Sequence, residues 1–189
     1  MRRRWLAVVG AVALVVPVVV LGRPASGAQQ AGVTLATGTF SSFAEGATAV
    51  TYNPALVPFG AKASTLAVTT TAGTVVTFTV HGLVPQRAYG AHVHVNECGA
   101  SPADAGPHYQ HVPDPHQPSV DPRYANNRNE IWLDFHTDGG GNALALTTVD
   151  WGFTDRHAHA VMIHEQHTHT GDGEAGTAGA RVACVNASL

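Results

Sequence analysis

Residues 74–95 read TVVTFTVHGLVPQRAYGAHVHV, and the class of fold can be predicted from this stretch. Val76, Phe78 and Val80 recur at every second position, which is the period of a β-strand with one buried face. A second short strand is predicted over 89–95, where the letters are YGAHVHV. The many Val, Thr, Ala and Gly residues of the whole chain also favour strands joined by turns over long helices.

The chain beyond residue 95 alternates between long loops and short apolar segments. Residues 96–130 are irregular and rich in proline, and a loop of that length is commonly functional. Residues 131–153 (IWLDFHTDGGGNALALTTVDWGF) predict a hairpin of strand, Gly turn and strand. Residues 159–166 and 181–185 predict two further strands, with a Gly-rich loop at 167–180 between them. We expect one all-β domain over 29–189, a Greek-key antiparallel β-barrel or sandwich with two long functional loops.

The first 28 residues have the order of an export signal. A basic start is followed by an apolar run and by the small residues SGA. We expect cleavage after Ala28 and an exported product that is secreted, periplasmic or associated with the cell envelope. The RRRWL start resembles a twin-arginine signal, and an ordinary secretory signal is the alternative. An uncleaved membrane anchor is a further alternative because the apolar run is long, although Pro17 in its middle disfavours it.

The charge balance of residues 29–189 disfavours two classes of partner. Four of the ten Lys and Arg residues lie in the first 28 positions, which leaves six against thirteen Asp and Glu. Because this part is net acidic, nucleic acid and anionic membrane surfaces are not expected as partners.

The two cysteines of the chain, Cys98 and Cys184, favour one structural disulfide in an exported chain, and a thiolate metal ligand is the alternative. The sequence leaves the oligomeric state open.

All twelve histidines lie between His81 and His169, and their spacing suggests metal chemistry. In HVH the side chains of His92 and His94 project from one face of a strand, because strand periodicity is two. Two imidazoles on one rigid face form half of a metal site. A bare pair of this kind can equally be two exposed polar residues, so the surrounding sequence has to decide between the two.

Four blocks of sequence surround the histidines and the cysteines: VHGLVPQRAYGAHVHV at 80–95, AGPHY at 105–109, VMIHE at 161–165 and GTAGARVAC at 176–184. In this order they resemble the corresponding blocks of the copper-zinc superoxide dismutase family. Each block is short, and their order and shared chemistry make the resemblance specific. It implies the family's β-barrel and its activity, the dismutation of superoxide to dioxygen and hydrogen peroxide. The alternative is a non-catalytic exported protein that binds or buffers copper on the same fold.

The same resemblance implies roles for individual residues. Imidazole nitrogen suits an ion that cycles between Cu(II) and Cu(I), and the implied copper ligands are His92, His94, His108 and His164. It also implies that His108 takes up a proton during the reaction. Arg181 would guide the superoxide anion with its permanently charged donor fork. The resemblance further implies that Cys98 is bonded to Cys184.

The zinc site implied by the resemblance is incomplete. Its members would be His108, His116 and Asp134, but the position three residues before Asp134, where the family has a histidine, is Ile131. An isoleucine cannot bind a metal, and a tetrahedral zinc site needs its fourth ligand. A substitute could come from either of two nearby histidines, His136 or His111. The sequence alone is compatible with zinc binding and with loss of the zinc site.

The loop before Arg181 lacks the basic residues that could attract an anion. Residues 165–180 contain no Lys or Arg, so attraction must come from Arg181, the metal or nearby histidines. We expect slow capture of superoxide or a weak dependence of the rate on salt. Polar roles in strands or loops are expected for the histidines outside the metal sets, which are His81, His157, His159, His167 and His169. For the last four of these, copper capture is the alternative.

Overall fold

Residues 31–189 are the part of the chain that the computed structural model describes, and they form nine strands and one 3-10 turn. In chain order these are β1 (Gly32–Thr39), β2 (Ala49–Thr51), β3 (Lys62–Thr70), β4 (Gly73–His81), β5 (Ala88–His94), the 3-10 turn (Pro102–Ala105), β6 (Phe135–His136), β7 (Ala143–Val149), β8 (Ala160–His164) and β9 (Arg181–Asn186). The first sheet has the strand order β1-β3-β4-β7, and the second has the order β2-β9-β8-β5-β6. The paired strands of both sheets are antiparallel, which confirms the all-β prediction.

The core lies between the two sheets, where the strand alternation predicts it. In β4 the side chains of Val76, Phe78 and Val80 are buried, whereas Val75 faces outward. The ring of Phe78 in the first sheet lies 6.1 Å from the ring of Phe135 in the second, so aromatic contacts join the layers. Burial of these apolar side chains is the main favourable term in the free energy of folding.

The predicted hairpin over residues 131–153 is wrong. β6 pairs with β5 in the second sheet, whereas β7 pairs with β4 in the first, so the chain crosses between the sheets through the glycine turn. Ile131, Leu133 and Phe135 face the core from one layer, and Ala145 and Val149 face it from the other. A hairpin would place both strands in one layer, whereas their apolar faces complete the core from opposite sides.

Two long loops leave the second sheet, as predicted, and position the functional side chains. The first loop, residues 95–134, is held against the sheet by a bridge between His94 and His108. A disulfide between Cys98 and Cys184 joins this loop to β9, and its Cα atoms are 5.7 Å apart. The predicted disulfide is confirmed, and the thiolate-ligand alternative is excluded. The second loop, residues 165–180, connects β8 to β9.

The predicted export signal, residues 1–28, lies outside the described residues, and so does the domain boundary at residue 29. The first described strand begins at Gly32. Within residues 31–189, no helix has the length and apolar character needed to cross a bilayer.

Candidate metal centre

Four histidines meet where the second sheet contacts the first loop. His92 and His94 lie on β5 and project from the same face. β8 runs antiparallel beside β5 with His164 opposite Gly90, so the last residue of β8 joins the pair. His108 arrives from the loop through its bridge to His94. The four side chains offer ligand nitrogens that all lie within 4.8 Å of one another.

One nitrogen on each of the two β5 rings is fixed by a hydrogen bond. Nε2 of His92 lies 2.6 Å from Oγ1 of Thr168, and Nδ1 of His94 lies 3.0 Å from the carbonyl oxygen of Gly106. Gly106 has a φ of 70°, a region that favours glycine. A Cβ atom on this residue would also lie only 2.8 Å from the side chain of Val95. A glycine before the loop histidine therefore lets the loop carbonyl reach the ring of His94.

The other nitrogens form a ligand set with no hydrogen-bond partner. Nδ1 of His92, Nε2 of His94 and both ring nitrogens of His164 are buried and unpaired among the described residues. Each unpaired buried polar atom costs on the order of 1–3 kcal/mol, so several around one point indicate a bound ion. A metal–imidazole bond is about 2.0–2.1 Å long, and one ion can lie between nitrogens that are all within 4.8 Å of one another. The residues therefore fit a metal ion with nitrogen ligands.

Burial keeps these ligands neutral. Desolvation lowers the pKa of His92 and of His94 well below the ordinary value of 6.5, and repulsion from a charged His108 lowers both further. The same two causes lower the pKa of His164 to about 3. A neutral imidazole offers a lone pair to a metal ion, whereas an imidazolium does not. The cluster is thus in its metal-binding form at neutral pH.

Arg181 begins β9 beside the cluster and lines the cavity that leads to it. The cavity has a volume of about 230 Å³, and its lining includes His108, His164 and Arg181. Nη1 of Arg181 donates to the carbonyl oxygen of Pro102, which fixes the guanidinium against the first loop. None of the ion pairs within residues 31–189 involves Arg181, so no carboxylate neutralises its charge. Burial lowers the pKa of Arg181, and nearby Tyr52 acts in the opposite direction.

A carboxylate lies beside Nδ1 of His108. If His108 bridged two metal ions, this nitrogen would bind the second one. The buried carboxylate of Glu130 accepts hydrogen bonds from Nδ1 of His108 at 2.8 Å, from Nε2 of Gln110 at 2.8 Å and from Nε1 of Trp132 at 2.6 Å. With Nδ1 bonded in this way, His108 has Nε2 left for the cluster. The ring therefore stands between one metal centre and a carboxylate.

The histidines predicted for a zinc site are not brought together. His116 and His136 are exposed, and His111 stacks on a tryptophan ring at 4.9 Å between centroids. Ile131 is buried in the core, so its side chain is turned away from the loop. Among residues 31–189 the one group of three or more potential metal ligands is the four-histidine cluster. The described residues therefore do not fit a tetrahedral zinc ion beside His108.

Asp134, predicted as the carboxylate of the zinc site, binds the second loop instead. Its Oδ2 accepts from the backbone N–H of Thr168 at 2.8 Å, and its Oδ1 accepts from the hydroxyl of Thr168 at 2.7 Å. The hydroxyl oxygen in turn accepts from Nε2 of His92. Asp134 thus orients the ring of His92 through Thr168. Carboxylates near metal-binding histidines commonly orient the ring by a direct hydrogen bond.

Two of these partners, Glu130 and Thr168, were missed in the sequence. A signal for Glu130 was present, because Ile131 and Leu133 alternate with Glu130 and Trp132 and so face the opposite side of the segment. Thr168 had no comparable signal, since its contact joins two loops that are remote in sequence. Of the histidines outside the metal sets, four have a ring nitrogen bonded to a neighbouring side chain or carbonyl: His81, His157, His167 and His169.

A comparison with protein-family models bears directly on this geometry. The model for copper/zinc superoxide dismutase matches residues 62–187, which is more than half of the chain. The chain belongs to the copper/zinc superoxide dismutase family. The match extends from the start of β3 past the end of β9, so it includes the cluster, the disulfide and Arg181. A search of curated proteins finds no match to the chain.

Solved structures of the superoxide dismutase type include similar folds. The Cu/Zn superoxide dismutase from Brucella abortus has a TM-score of 0.54 at 15% identity, over 83% of this chain and 99% of that one. A double mutant of a SOD-like protein from Bacillus subtilis has a TM-score of 0.48 at 16% identity, over 67% of this chain and 87% of that one. At 15% identity, the likeness to the Brucella protein shows the family fold and nothing finer.

Proposed function

We propose that this chain is an exported superoxide dismutase that uses copper without zinc. The observation that carries the proposal is a group of four histidines with unpaired buried nitrogens beside a cavity lined by Arg181, which has no ion pair among the described residues. Imidazole ligands suit both oxidation states of copper. Membership of the copper/zinc superoxide dismutase family supports the same reaction.

Copper, when bound by His92, His94, His108 and His164, would supply the one-electron exchange that converts superoxide to dioxygen and to hydrogen peroxide. The chain itself binds and orients the anion. Arg181 offers fixed positive charge and several N–H donors at the cavity beside His164 and His108. A charge-assisted contact with a small anion is stronger than a neutral one.

His108 is the ligand best placed to handle protons. Its side chain is 17% exposed, whereas His92, His94 and His164 are buried. The hydrogen bond to Glu130 holds Nδ1 and leaves Nε2 toward the cavity and the cluster. We infer that Nε2 of His108 would serve in turn as a metal ligand and as a proton carrier, taking up a proton only while it is not bound to the ion and giving that proton to the reduced oxygen species, with Glu130 keeping the ring in one orientation.

Zinc has no part in this proposal. The nitrogen of His108 that would face zinc is bonded to Glu130, and Asp134 is bonded to Thr168. The remaining predicted zinc ligands do not meet at one point within the described residues. These contacts support the proposal of a site with one metal ion.

An Arg181→Gln variant separates this enzyme from a protein that stores copper without turnover. We expect the variant to bind copper as the original chain does, while the dismutation rate per bound copper falls about tenfold or more, the effect of losing one charged hydrogen bond. Arg123→Gln is the matched control, because Arg123 is an exposed arginine paired with Asp121. Tight copper binding with no dismutation in the original chain would favour storage and overturn the proposal.

A further inference from the structure

A groove beside the metal cavity has no part in the proposed dismutation. It has a volume of about 780 Å³, and its lining residues come from both long loops and from the start of β9. The volume lies within the range of small-molecule sites, about 300–1,000 Å³. The residues that line both the groove and the metal cavity are Pro107, Gln117, Pro118 and Arg181. The groove and the cavity are therefore neighbours that share one arginine.

The walls of the groove are mostly apolar. They are formed by three prolines and two alanines: Pro102, Ala103, Pro107, Pro118 and Ala180. A proline ring presents methylene groups, and its nitrogen carries no hydrogen that needs a partner. Covering these walls with an apolar group is favourable, because it removes apolar surface from water and leaves no N–H of a proline unpaired.

The wall that the 3-10 turn contributes is held in place by local contacts. The side chain of Ser101 accepts from the backbone N–H of Ala103 at 3.3 Å, and the carboxylate of Asp104 accepts from the backbone N–H of Ser101 at 2.8 Å. The disulfide between Cys98 and Cys184 ties the chain just before this turn to β9. A site that is formed before its ligand arrives loses less conformational entropy on binding.

Arg181 gives the groove one positive charge that no acid neutralises. Its Nη1 donates to the carbonyl oxygen of Pro102 at 3.0 Å, and none of its other N–H groups bonds to a residue within 31–189. No Asp or Glu lines the groove in the described part of the chain, and the carboxylate of Asp104 is engaged by Ser101. A guanidinium presents a planar fork of donors that a carboxylate matches with two parallel hydrogen bonds.

We propose that the groove binds a small organic monocarboxylate, with its carboxylate on Arg181 and its apolar ring or chain against the prolines. The single cation selects a ligand with one negative charge. The apolar walls select a ligand with an apolar body over a bare inorganic anion. Both parts of the ligand are therefore needed for binding.

A ligand bound in this way would compete with superoxide. Its carboxylate would occupy the N–H donors of Arg181, which the proposed reaction needs for the substrate anion. This consequence rests on the proposed function, whereas binding in the groove requires neither copper nor turnover. The two can therefore fail separately.

Titration of the full chain with benzoate, followed through its backbone amide resonances by nuclear magnetic resonance, tests the binding. The chain is first freed of metal with a chelator, so that benzoate bound to copper cannot cause the signal. We expect saturable shifts at Ala103 and Arg181 and a Kd of about 1 mM or below. Benzyl alcohol has the ring without the charge, and acetate has the charge without the ring. Each should bind at least about tenfold more weakly than benzoate.

An Ala103→Glu variant tests the position of the site. It adds a carboxylate to the groove and should weaken benzoate binding about tenfold or more by repulsion. Ala72→Glu is the matched control, because Ala72 is exposed in the turn between β3 and β4 and the same charge there should leave the Kd unchanged. In Arg181→Gln, benzoate should lose its advantage over benzyl alcohol.

The effect on turnover is measured in the copper-loaded original chain. Benzoate should slow dismutation with an inhibition constant equal to its Kd. A copper-loaded chain without any dismutation would refute the proposed function, and the titration of the metal-free chain would still decide whether the groove binds benzoate.

Several results would overturn the proposed site. The first is the absence of saturable shifts up to about 10 mM benzoate. Equal binding of benzyl alcohol or of acetate would remove one of the two recognition elements, and equal weakening in Ala72→Glu would reduce the effect to long-range charge. Tighter binding of triglutamate than of benzoate would assign the groove to an acidic protein segment and would overturn the proposal as well.

Discussion

Glu130 is 1% exposed, and a buried carboxylate is stable only when donors surround it. His108, Gln110 and Trp132 are those donors, and together they hold both carboxylate oxygens. A carboxylate behind a metal-binding imidazole raises the basicity of the ring and fixes its orientation. At the scale of residues, the group beside Nδ1 of His108 is therefore a carboxylate, at the place where a second metal ion would bind.

Changing Glu130 to Gln should weaken the copper site without emptying it. We expect copper affinity to fall about 10–100-fold, the usual effect of losing a partner behind a metal ligand, together with a changed Cu(II) spectrum. Competition with a chelator and electron paramagnetic resonance measure the two effects. Glu174→Gln is the control, because Glu174 is exposed and its one ion-pair partner within residues 31–189 is His169, which lies outside the cluster. Unchanged affinity and spectrum in the Glu130 variant would contradict the assignment.

The metal-free protein should lose stability as the pH falls below about 6.5. The pKa values of His92, His94 and His164 are lowered in the folded chain, that of His164 to about 3, so the unfolded chain binds more protons in this window. Stability is therefore complete above the unfolded value near 6.5 and is lost on the way down to the folded values. Each histidine contributes at most about 1.4 kcal/mol per pH unit. Denaturant unfolding from pH 7 to 4 measures the slope, which should be smaller in His164→Asn; equal slopes in both proteins would contradict this.

At the scale of elements, period-two alternation made the strands predictable and left their partners undefined. β4 and β5 follow directly from the apolar positions around Val76 and from HVH. The segment 131–153 has the same alternation, yet its two strands lie in different sheets, because local pattern does not say which layer a strand joins. The four-histidine cluster was predictable through the family resemblance. Glu130 acts through contacts within the first loop and had a signal in the alternation of residues 130–133, whereas Thr168 acts through a contact between the two loops, which the local pattern does not encode.

The disulfide is the element-scale contact with the largest expected effect on stability. A Cys98→Ser/Cys184→Ser variant should lose about 2–5 kcal/mol of unfolding free energy, because the unfolded chain is no longer cross-linked. The first loop also carries the carbonyl of Pro102 that fixes Arg181, so the dismutation rate per copper should fall as well. Guanidinium unfolding and a rate assay on copper-loaded protein measure both quantities. An unfolding free energy equal to that of the original chain would count against the structural role.

At the scale of the whole molecule, residues 29–189 are net acidic, and the proposed substrate is an anion. Six basic residues face thirteen acidic ones in residues 29–189. The cavity lining contains neutral polar side chains such as Gln110, Gln117 and Ser119, the buried carboxyl group of Glu130, and Arg181 as its permanent cation within the described residues. Long-range repulsion by the acids and short-range attraction by Arg181 therefore offset each other.

The dismutation rate should consequently depend weakly on salt. Raising the ionic strength from about 10 to 200 mM, which shortens the Debye length from about 30 to below 10 Å, should change the second-order rate constant by less than about twofold. A Glu174→Lys variant places a cation on the exposed second loop and should show a higher rate at low salt with a steeper decline. Stopped-flow decay of superoxide provides the rates. A tenfold decline in the original chain would mean that attraction dominates after all.

The most direct test of the copper-only account is one sample of the protein loaded with both metals, dialysed, and analysed for metal content and dismutation together. The account predicts one copper and no zinc per chain, with dismutation proportional to the copper bound. One zinc per chain beside the copper would contradict the role given to Glu130, and copper-loaded protein without dismutation would contradict the enzyme itself.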